Sequence, residues 1–243
     1  MKFAFSTNIG RRSENEDSCT IPDKAHPSPF VAVSDGMGGH AAGAVASKLI
    51  IEGLREELFR LRPDDIVSQL RSAVKQVNFD VYRTAQDDPA LYGMGATLVL
   101  AALFSGTYVA LNVGDSRLYK YSDHTLTQIS HDHTYVQMLV DSGSITPEEA
   151  KVHPQRNLIT RSVGLEMRVE PEFYIGEWGP GDILLLCSDG LHGSVPEETM
   201  IQILETGASL SSRCRKLVDT ALQFGASDNI TAVLAEHGGG SQS

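Results

Sequence analysis

The sequence predicts an α+β domain in which antiparallel β-sheets are covered by helices. Two stretches carry apolar residues at a helical period, and a run of closely spaced strand-like segments follows them. Segments separated by about two residues can pair only in antiparallel fashion, because a parallel crossover needs a dozen or more residues. Runs of strands next to pairs of helices in a chain of 243 residues are typical of one layered α+β domain.

The elements follow from local pattern. The first strand is expected at 30–33, a short apolar run that ends in Ser34-Asp35-Gly36. Helices are expected at 41–61 and 64–85, where apolar residues recur every three or four positions. The remaining strands are expected at 97–104, 107–113, 116–121, 126–129, 182–187 and 230–235, and the remaining helices at 196–205 and 210–224.

The segment 132–164 does not fit this plan. It holds a short helical pattern at 135–140 and the sequence Thr146-Pro-Glu-Glu149, which is typical of a capping box at a helix start. A loop-rich insertion of this length in a compact domain is usually a lid or a binding loop. We therefore predict one domain at 1–237 with a flap at about 132–164, followed by a disordered tail at 238–243.

Composition excludes some classes of function. The chain has 31 acidic and 20 basic residues, a net charge of −11, which argues against a protein that tracks nucleic-acid phosphates. Three scattered cysteines, Cys19, Cys187 and Cys214, indicate free thiols in a reducing compartment. Neither a signal peptide nor a membrane span is recognisable, so we expect a cytoplasmic protein without a membrane partner.

Four aspartates lie next to apolar runs. Asp35, Asp115 and Asp189 follow such runs, and Asp228 precedes the last one. Any one of them is explained by turn formation, since Asp bonds its own backbone. Four together, in sheets whose strand ends can converge, indicate a site.

Crowded carboxylates raise one another's pKa unless a cation neutralises them. All the candidate ligands carry oxygen donors, so the expected ions are Mg²⁺ or Mn²⁺. Two such ions about 3.5–4 Å apart can lower the pKa of a water and direct it at an electrophile. Gly36, without a side chain, leaves its carbonyl free to coordinate. The pattern therefore indicates hydrolysis.

Residues 11–17 mix Arg11 and Arg12 with three acids, which by itself is equally consistent with a solvated surface. An arginine beside a metal centre would bind phosphate oxygens bidentately. The stretch 36–41 also matches the dinucleotide pattern G-x-G-x-x-A, but two helices and then hairpins follow it where parallel strands are required, and Asp35 would repel a pyrophosphate.

Seven motifs in register resemble the metal-dependent protein phosphatases (PPM family, type 2C), and specifically their compact bacterial branch. The likeness extends from Thr7 to Ala235. The motifs are Arg12-x-x-Asn15-Glu16-Asp17, Val33-Ser-Asp-Gly-Met-Gly-Gly-His40, Gly95-Ala-Thr97, Asn112-Val-Gly-Asp-Ser-Arg117, Ser130-x-Asp-His-Thr134, Cys187-Ser-Asp-Gly-Leu191 and Ser227-Asp-Asn-Ile-Thr231.

The resemblance implies an αββα sandwich, two antiparallel sheets packed face to face between helix pairs, with a binuclear metal centre in a cleft at one end. By motif position, Asp35 would bridge both ions and the Gly36 carbonyl would complete one site. Asp189 and Asp228 would hold the other ion. The segment 132–164 coincides with the family's flap.

Outside these ligands, Asp17 and Glu16 would act through water, and Asp115 would join Asp189 in holding a third, weaker metal. The resemblance gives Arg12 the phosphate-binding place. The interval from Gly10 to Asp17 is one residue shorter than usual, which leaves Arg11 as the alternative.

The proton donor to the leaving serine or threonine is left open by the sequence. Met37 stands where many eukaryotic relatives carry a histidine, and His40, His153 or a metal-bound water are the alternatives. His131 and His133 have a metal-like spacing, but we expect them to anchor a loop.

The resemblance implies a cytoplasmic protein serine/threonine phosphatase that depends on Mg²⁺ or Mn²⁺. Its expected partners are phosphoproteins, among them the substrates of a cognate Hanks-type kinase and that kinase itself, and we expect a monomer. The alternative is a non-catalytic module of the same fold that binds phosphoproteins.

Overall fold

The structure is a computed structural model and describes residues 1–38 and 41–238. Its strands are β1 (Lys2–Asn8), β2 (Asp17–Thr20), β3 (Phe30–Met37), β4 (Gly95–Ala96), β5 (Leu98–Leu103), β6 (Thr107–Val113), β7 (Arg117–Ser122), β8 (Thr125–Gln128), β9 (Glu172–Glu177), β10 (Ile183–Cys187) and β11 (Ile230–Glu236). Its α-helices are α1 (Ala41–Glu57), α2 (Ile66–Asp87), α3 (Tyr135–Asp141), α4 (Pro147–Val152), α5 (Asp189–His192), α6 (Glu197–Leu204) and α7 (Leu210–Gln223).

The strands form two sheets. The first has the order β1-β11-β10-β7-β8, and the second has the order β2-β3-β5-β6-β9 with β4 paired to β3. Every pair of named strands is antiparallel. This excludes the parallel strand order that the dinucleotide pattern at 36–41 would need.

Three apolar clusters separate four layers. One lies between the second sheet and helices α1 and α2, another lies between the first sheet and helices α5 to α7, and the third fills the space between the sheets. The alternation along β3 explains the division, because Phe30 and Ala32 face the helices while Val31 and Val33 face the other sheet. The αββα sandwich is thus confirmed.

The apolar layer between the sheets becomes polar at one end. On β3 the row of Val31 and Val33 continues to Asp35. On β10 the row of Leu184 and Leu186 continues to Ser188 just past the strand. Because side chains two residues apart share a face, the same alternation that builds the core delivers polar groups to one edge of the sandwich.

The segment 132–164 contains α3 and α4 and returns to its own start. The two ends pair through a bridge between Thr134 and Ile159, and the amide of Thr160 donates to the carbonyl of His133. The predicted capping box is present, since the Thr146 hydroxyl and the Glu149 carboxylate each accept from the other's backbone amide. A role as a lid stays a prediction.

Several boundaries differ from the sequence prediction. Strands β1, β2, β4 and β9 and helix α5 were not predicted, and β3 runs on to Met37 so that Asp35 lies inside a strand. Helix α1 ends at Glu57, four residues early. Of the predicted tail, residues 239–243 lie outside the described residues. All three cysteines are free, and no helix of the described chain has the length and apolar composition to cross a membrane.

Candidate metal centre

Asp35 and Asp17 stand opposite each other on neighbouring strands. They are paired in the register of β3 and β2, and Asp17 is only 9% exposed. Ser188, from the other sheet, donates its hydroxyl to Asp17 Oδ2 at 2.7 Å. The two acids therefore lie where the sheets meet, and the hydrogen bond between Ser188 and Asp17 connects the two sheets.

Asp189 and Asp228 approach the same place from the first sheet. Asp189 is the first residue of α5, two residues past the end of β10, and lines the same cavity as Asp35. Asp228 lies just before β11, beside Asn229. The side-chain Nδ2 of Asn229 donates to the backbone carbonyls of Ile9 and Glu14, and its Oδ1 accepts from the backbone amide of Glu16. Asn229 thereby fixes the loop that carries the N-terminal motif.

Asp115 lies on the turn between β6 and β7, which connects the two sheets. The preceding Gly114 has φ +105°, and a Cβ there would stand 2.7 Å from Thr97 Cγ2, so only glycine fits this turn. Asp115 is buried, and its carbonyl accepts from Nε2 of His192 at 3.0 Å. Burial and the nearby Arg117 hold the pKa of His192 well below its usual value, so the ring is neutral.

Gly36 allows the end of β3 to approach helix α1. A Cβ at Gly36 would lie 2.1 Å from the carbonyl oxygen of Gly43, and a Cβ at Gly43 would lie 2.3 Å from Oε2 of Glu16. The amide of Gly36 donates to the carbonyl of Glu16. The Glu16 carboxylate is thus held against the start of α1, next to the acidic cluster.

Arg12 reaches the cluster and Arg11 does not. Arg12 Nη2 donates to Asp228 Oδ2 at 2.6 Å, while the guanidinium of Arg11 lies beside Gly225. Gly10 makes this possible, because its φ is +62° and a Cβ would collide with the Asp228 carbonyl oxygen at 2.0 Å. The hydrogen bond with Asp228 raises the pKa of Arg12, which keeps its charge.

The acids destabilise one another's ionised forms. Burial, with help from Asp189 and Asp228, raises the pKa of Asp17 to about 7. Burial and Asp189 raise the pKa of Asp115 to about 7, and burial and Asp228 raise that of Asp189 to about 6. Burial and the surrounding aspartates raise the pKa of Asp35 well above its usual value. At neutral pH the cluster therefore needs a countercharge.

Two buried oxygens test whether a metal fits. Among the described residues, Asp17 Oδ1 and Asp189 Oδ1 are buried side-chain oxygens that have no hydrogen-bond donor. No group of three or more His, Cys, Asp or Glu in residues 1–38 and 41–238 is already drawn together as the ligands of one ion. The oxygen-only donor set fits hard divalent cations.

Four of these aspartates line one cavity of about 230 Å³, whereas Asp17 is not among its lining residues. The sequence-predicted residues that line it are Arg12, Glu16, Asp35, Gly36, Asp115, Asp189 and Asp228. The sequence did not single out Thr97, Asn157 and Ile159 as cavity-lining residues, nor Ser188 and His192 as their supports. Period-two alternation along β10 could have indicated Ser188, but Asn157 and Ile159 arrive from the flap segment, whose path no local pattern gives.

None of the described histidines that the sequence singled out lines the metal cavity. His133 Nδ1 accepts from the amide of Gly114, and its Nε2 lies 3.1 Å from Glu172, so this residue anchors the start of the flap segment. His131 contacts Asp141 of α3. His153 accepts from the amide of Gln155 and is not among the residues that line the cavity. His40, one of the candidates for the proton donor, lies outside the described residues.

A sandwich of two antiparallel sheets between helices, with acids at one end, is the architecture of the metal-dependent protein phosphatases. The sequence model of protein phosphatase 2C matches residues 6–235. The serine/threonine phosphatase stp of Listeria monocytogenes is 38% identical over 241 residues, which cover 97% of this chain and 96% of that protein. The chain belongs to the protein phosphatase 2C family.

Solved structures agree with this assignment. The crystal structure of the serine/threonine phosphatase Stp1 from Staphylococcus aureus has a TM-score of 0.92 at 36% identity and covers 98% of this chain and 95% of that one. The catalytic domain of the serine/threonine protein phosphatase PstP in complex with two manganese ions has a TM-score of 0.87 at 37% identity, with 97% of each chain covered.

Proposed function

We propose that this protein is a metal-dependent phosphatase that hydrolyses phosphoserine and phosphothreonine in proteins. The observation that carries the proposal is the convergence of carboxylates from both sheets, together with Arg12, on one cavity. The relatives support it, because those at 31–43% identity over nearly the whole chain are named as phosphatases. Membership of the family supports dependence on a divalent metal.

Asp35 would hold both Mg²⁺ or Mn²⁺ ions, with the Gly36 carbonyl at one of them. Asp189 and Asp228 would hold the second ion, and Asp115 with Asp189 a third, weaker one. When bound, the two ions supply a water activated for attack on phosphorus. The unbonded Oδ1 of Asp189 supports this assignment, since it is a buried acceptor in need of a cation.

Asp17 and Glu16 would act outside these inner ligands, through water. Asp17 Oδ1 is buried without a hydrogen-bond donor among the described residues, while its Oδ2 is fixed by Ser188. The backbone of Glu16 is fixed by Asn229 and Gly36. Both carboxylates are thereby held at the edge of the cluster, where they can orient coordinated water.

Arg12 would bind the phosphate. Its side chain is 59% exposed and uses one amino group on Asp228, so its other donors face the cavity and solvent. A guanidinium presents paired donors that match phosphate oxygens and stays charged throughout the physiological range. Arg12 thus orients the phosphoester and offsets the charge that develops in the transition state.

His40 stays our candidate for the proton donor to the leaving hydroxyl. The flap at 132–164 would shape access to the cavity through Asn157 and Ile159. We further propose that the physiological substrates are phosphoproteins made by a cognate Hanks-type kinase, and that kinase itself, in a cytoplasmic bacterial signalling system in which this protein acts as a monomer.

The test compares wild type with Asp35→Asn on p-nitrophenyl phosphate and on a phosphothreonine peptide, with Mn²⁺ and with EDTA. We expect hydrolysis only by wild type with Mn²⁺. Asp219→Asn, which changes an exposed aspartate of α7, is the matched control and should keep full activity. Hydrolysis that survives EDTA would overturn the mechanism. Manganese binding without turnover would instead indicate the non-catalytic module.

Asp115→Ala tests the third metal. We expect turnover to fall while the thermal midpoint with saturating Mn²⁺ changes little, because this acid lies on a turn that Gly114 and Thr97 already fix. Isothermal titration should show two Mn²⁺ sites retained. Unchanged turnover would contradict a role for Asp115.

A further inference from the structure

A second groove opens beside the metal cavity. It has a volume of about 360 Å³ and lies between the end of the flap segment and the loop that follows it. Met37 and Ile159 line both this groove and the metal cavity. The two cavities therefore adjoin each other at Met37 and Ile159, so the groove lies next to a phosphorylated residue that is placed at the metal centre.

The groove carries two arginines whose charges no carboxylate neutralises. Arg161 Nη1 contacts His133 Nε2 at 3.3 Å and forms no ion pair with a carboxylate in the part of the chain that the structure describes. Arg168 is exposed and makes neither a hydrogen bond nor an ion pair within those residues. Arg168 also lines a smaller adjoining cavity of about 220 Å³, so it stands on the ridge between the two.

The acids of the same wall do not cancel this charge. Glu170 is engaged by two other cations, Arg71 at 2.8 Å and Lys75 at 3.2 Å. Of the described carboxylates that line the groove, Glu166 is the one left to oppose the two arginines. Within the groove, two arginines thus face one carboxylate that no other cation engages, in a protein whose overall charge is −11. Such a local reversal of sign attracts an anionic ligand.

The rim of the groove is apolar and exposed. Leu165 lines the groove and is 44% exposed, although it lies over Gly95 at the start of β4; Met167, which lines the smaller adjoining cavity, is 60% exposed. Such a surface can make apolar contacts with the side chains of a bound peptide, while the arginines favour peptides that carry a negative charge.

We propose that this flank groove, formed by Met37, Ile159, Arg161, Leu165 and Arg168, binds the substrate chain next to the phosphoresidue and selects an anionic side chain there. This inference rests on the proposed phosphatase activity and adds a substrate class to it: phosphoproteins with aspartate, glutamate or a second phosphate within a few residues of the scissile phosphate. Arg168 is a specificity-determining residue, and Arg161 joins it from the end of the flap segment.

The experiment measures kcat/KM of the Mn²⁺-loaded enzyme on phosphothreonine peptides that carry aspartate, phosphoserine, alanine or lysine at single positions from −5 to +5. We expect a preference of about fivefold for an anionic residue over alanine at one or two positions on one side, the size of an exposed charge pair. Aspartate and phosphoserine arms distinguish an acidic sequence from a doubly phosphorylated one.

Arg168→Glu should reverse the preference, so that the lysine peptide becomes better than the aspartate peptide by about fivefold. The matched control is Arg215→Glu, a charge reversal on the exposed face of α7, which should leave the wild-type preference intact. Thermal midpoints of both variants show that neither effect comes from unfolding. An aspartate preference that persists in Arg168→Glu would overturn the assignment of the groove.

Hydrolysis of p-nitrophenyl phosphate separates the two claims, because this substrate has no flanking chain. Turnover of that substrate by wild type, together with equal kcat/KM for all peptides, would overturn the groove and leave the phosphatase standing. Absence of any turnover would overturn both.

Discussion

Asp17 and Asp132 are equally buried aspartates with opposite surroundings. Asp132 is 8% exposed and receives three hydrogen bonds from Arg117 at 2.7 to 3.1 Å and another from Gln128. Asp17 is 9% exposed and has other aspartates as its charged neighbours. At the base of the flap, the buried Asp132 is therefore neutralised by an arginine of the same chain, Arg117. At the strand ends Asp17 has no such partner among the described residues, and we expect a bound ion to supply the countercharge.

The largest expected effect comes from removing one acid of the cluster. Asp189→Asn should lower kcat/KM by about 10³, equivalent to roughly 4 kcal/mol of transition-state stabilisation. The same change should make the metal-free protein more stable, since it removes a buried charge that repels its neighbours. Urea unfolding in EDTA measures this, and a lower stability than wild type would contradict the comparison.

Removing Asp132, unlike removing Asp189, should destabilise the protein. Asp132→Ala leaves the guanidinium of Arg117, whose side chain is 25% exposed, without its carboxylate partner and should cost about 3 kcal/mol of unfolding free energy, with or without Mn²⁺. Arg117→Met combined with Asp132→Leu should recover most of this loss, because no buried charge is then left unpaired. A double variant as unstable as the single one would show that the pair is not the cause.

The third prediction concerns pH. The unfolded pKa of an aspartate is about 3.9, whereas burial raises that of Asp17 to about 7 in the folded protein. Between these values the folded state binds the extra proton, so the contribution of Asp17 to stability falls as pH rises from 4 to 7, by up to about 1.4 kcal/mol per pH unit.

The difference in unfolding free energy between wild type and Asp17→Asn in EDTA isolates this term. The subtraction matters because His192, whose pKa is lowered by burial, contributes with the opposite sign. Saturating Mn²⁺ should flatten the difference. A difference that is independent of pH, or that grows in favour of wild type on raising the pH, would refute the prediction.

The smallest expected effect comes from an exposed pair. Lys2 and Glu236 are 3.0 Å apart, but the Lys2 side chain is 71% exposed. Lys2→Ala should therefore change the unfolding free energy by less than about 1 kcal/mol. A loss as large as that of Asp132→Ala would mean that proximity, and not burial, decides what an ion pair contributes here.

Much of this arrangement could be predicted from local pattern. Asp35, Asp115, Asp189 and Asp228 were found because each borders an apolar run, and the helices α1 and α2 because their apolar faces recur at a helical period. These are properties of neighbouring residues, which is why a single sequence suffices for them.

The rest depends on contacts between distant residues. Strand β1 pairs with β11, more than 200 residues away, and edge strand β9 has one exposed face and so no apolar run to reveal it. The approach of Asn157 and Ile159 to the cavity likewise depends on how the flap segment returns at Thr134. No pattern along the chain encodes such distances.

The hydrogen bond from Ser188 to Asp17 joins two sheets through residues 171 positions apart. Ions bound between Asp35 and Asp189 would act as a cross-link at the same open edge, where no strand pairs the two sheets. Part of the binding free energy would then hold the sheets in contact. Apolar substitutions deep in the sandwich, such as Leu186→Ala, should consequently weaken manganese affinity from a distance, and the supply of divalent ions would set how tightly this edge stays closed.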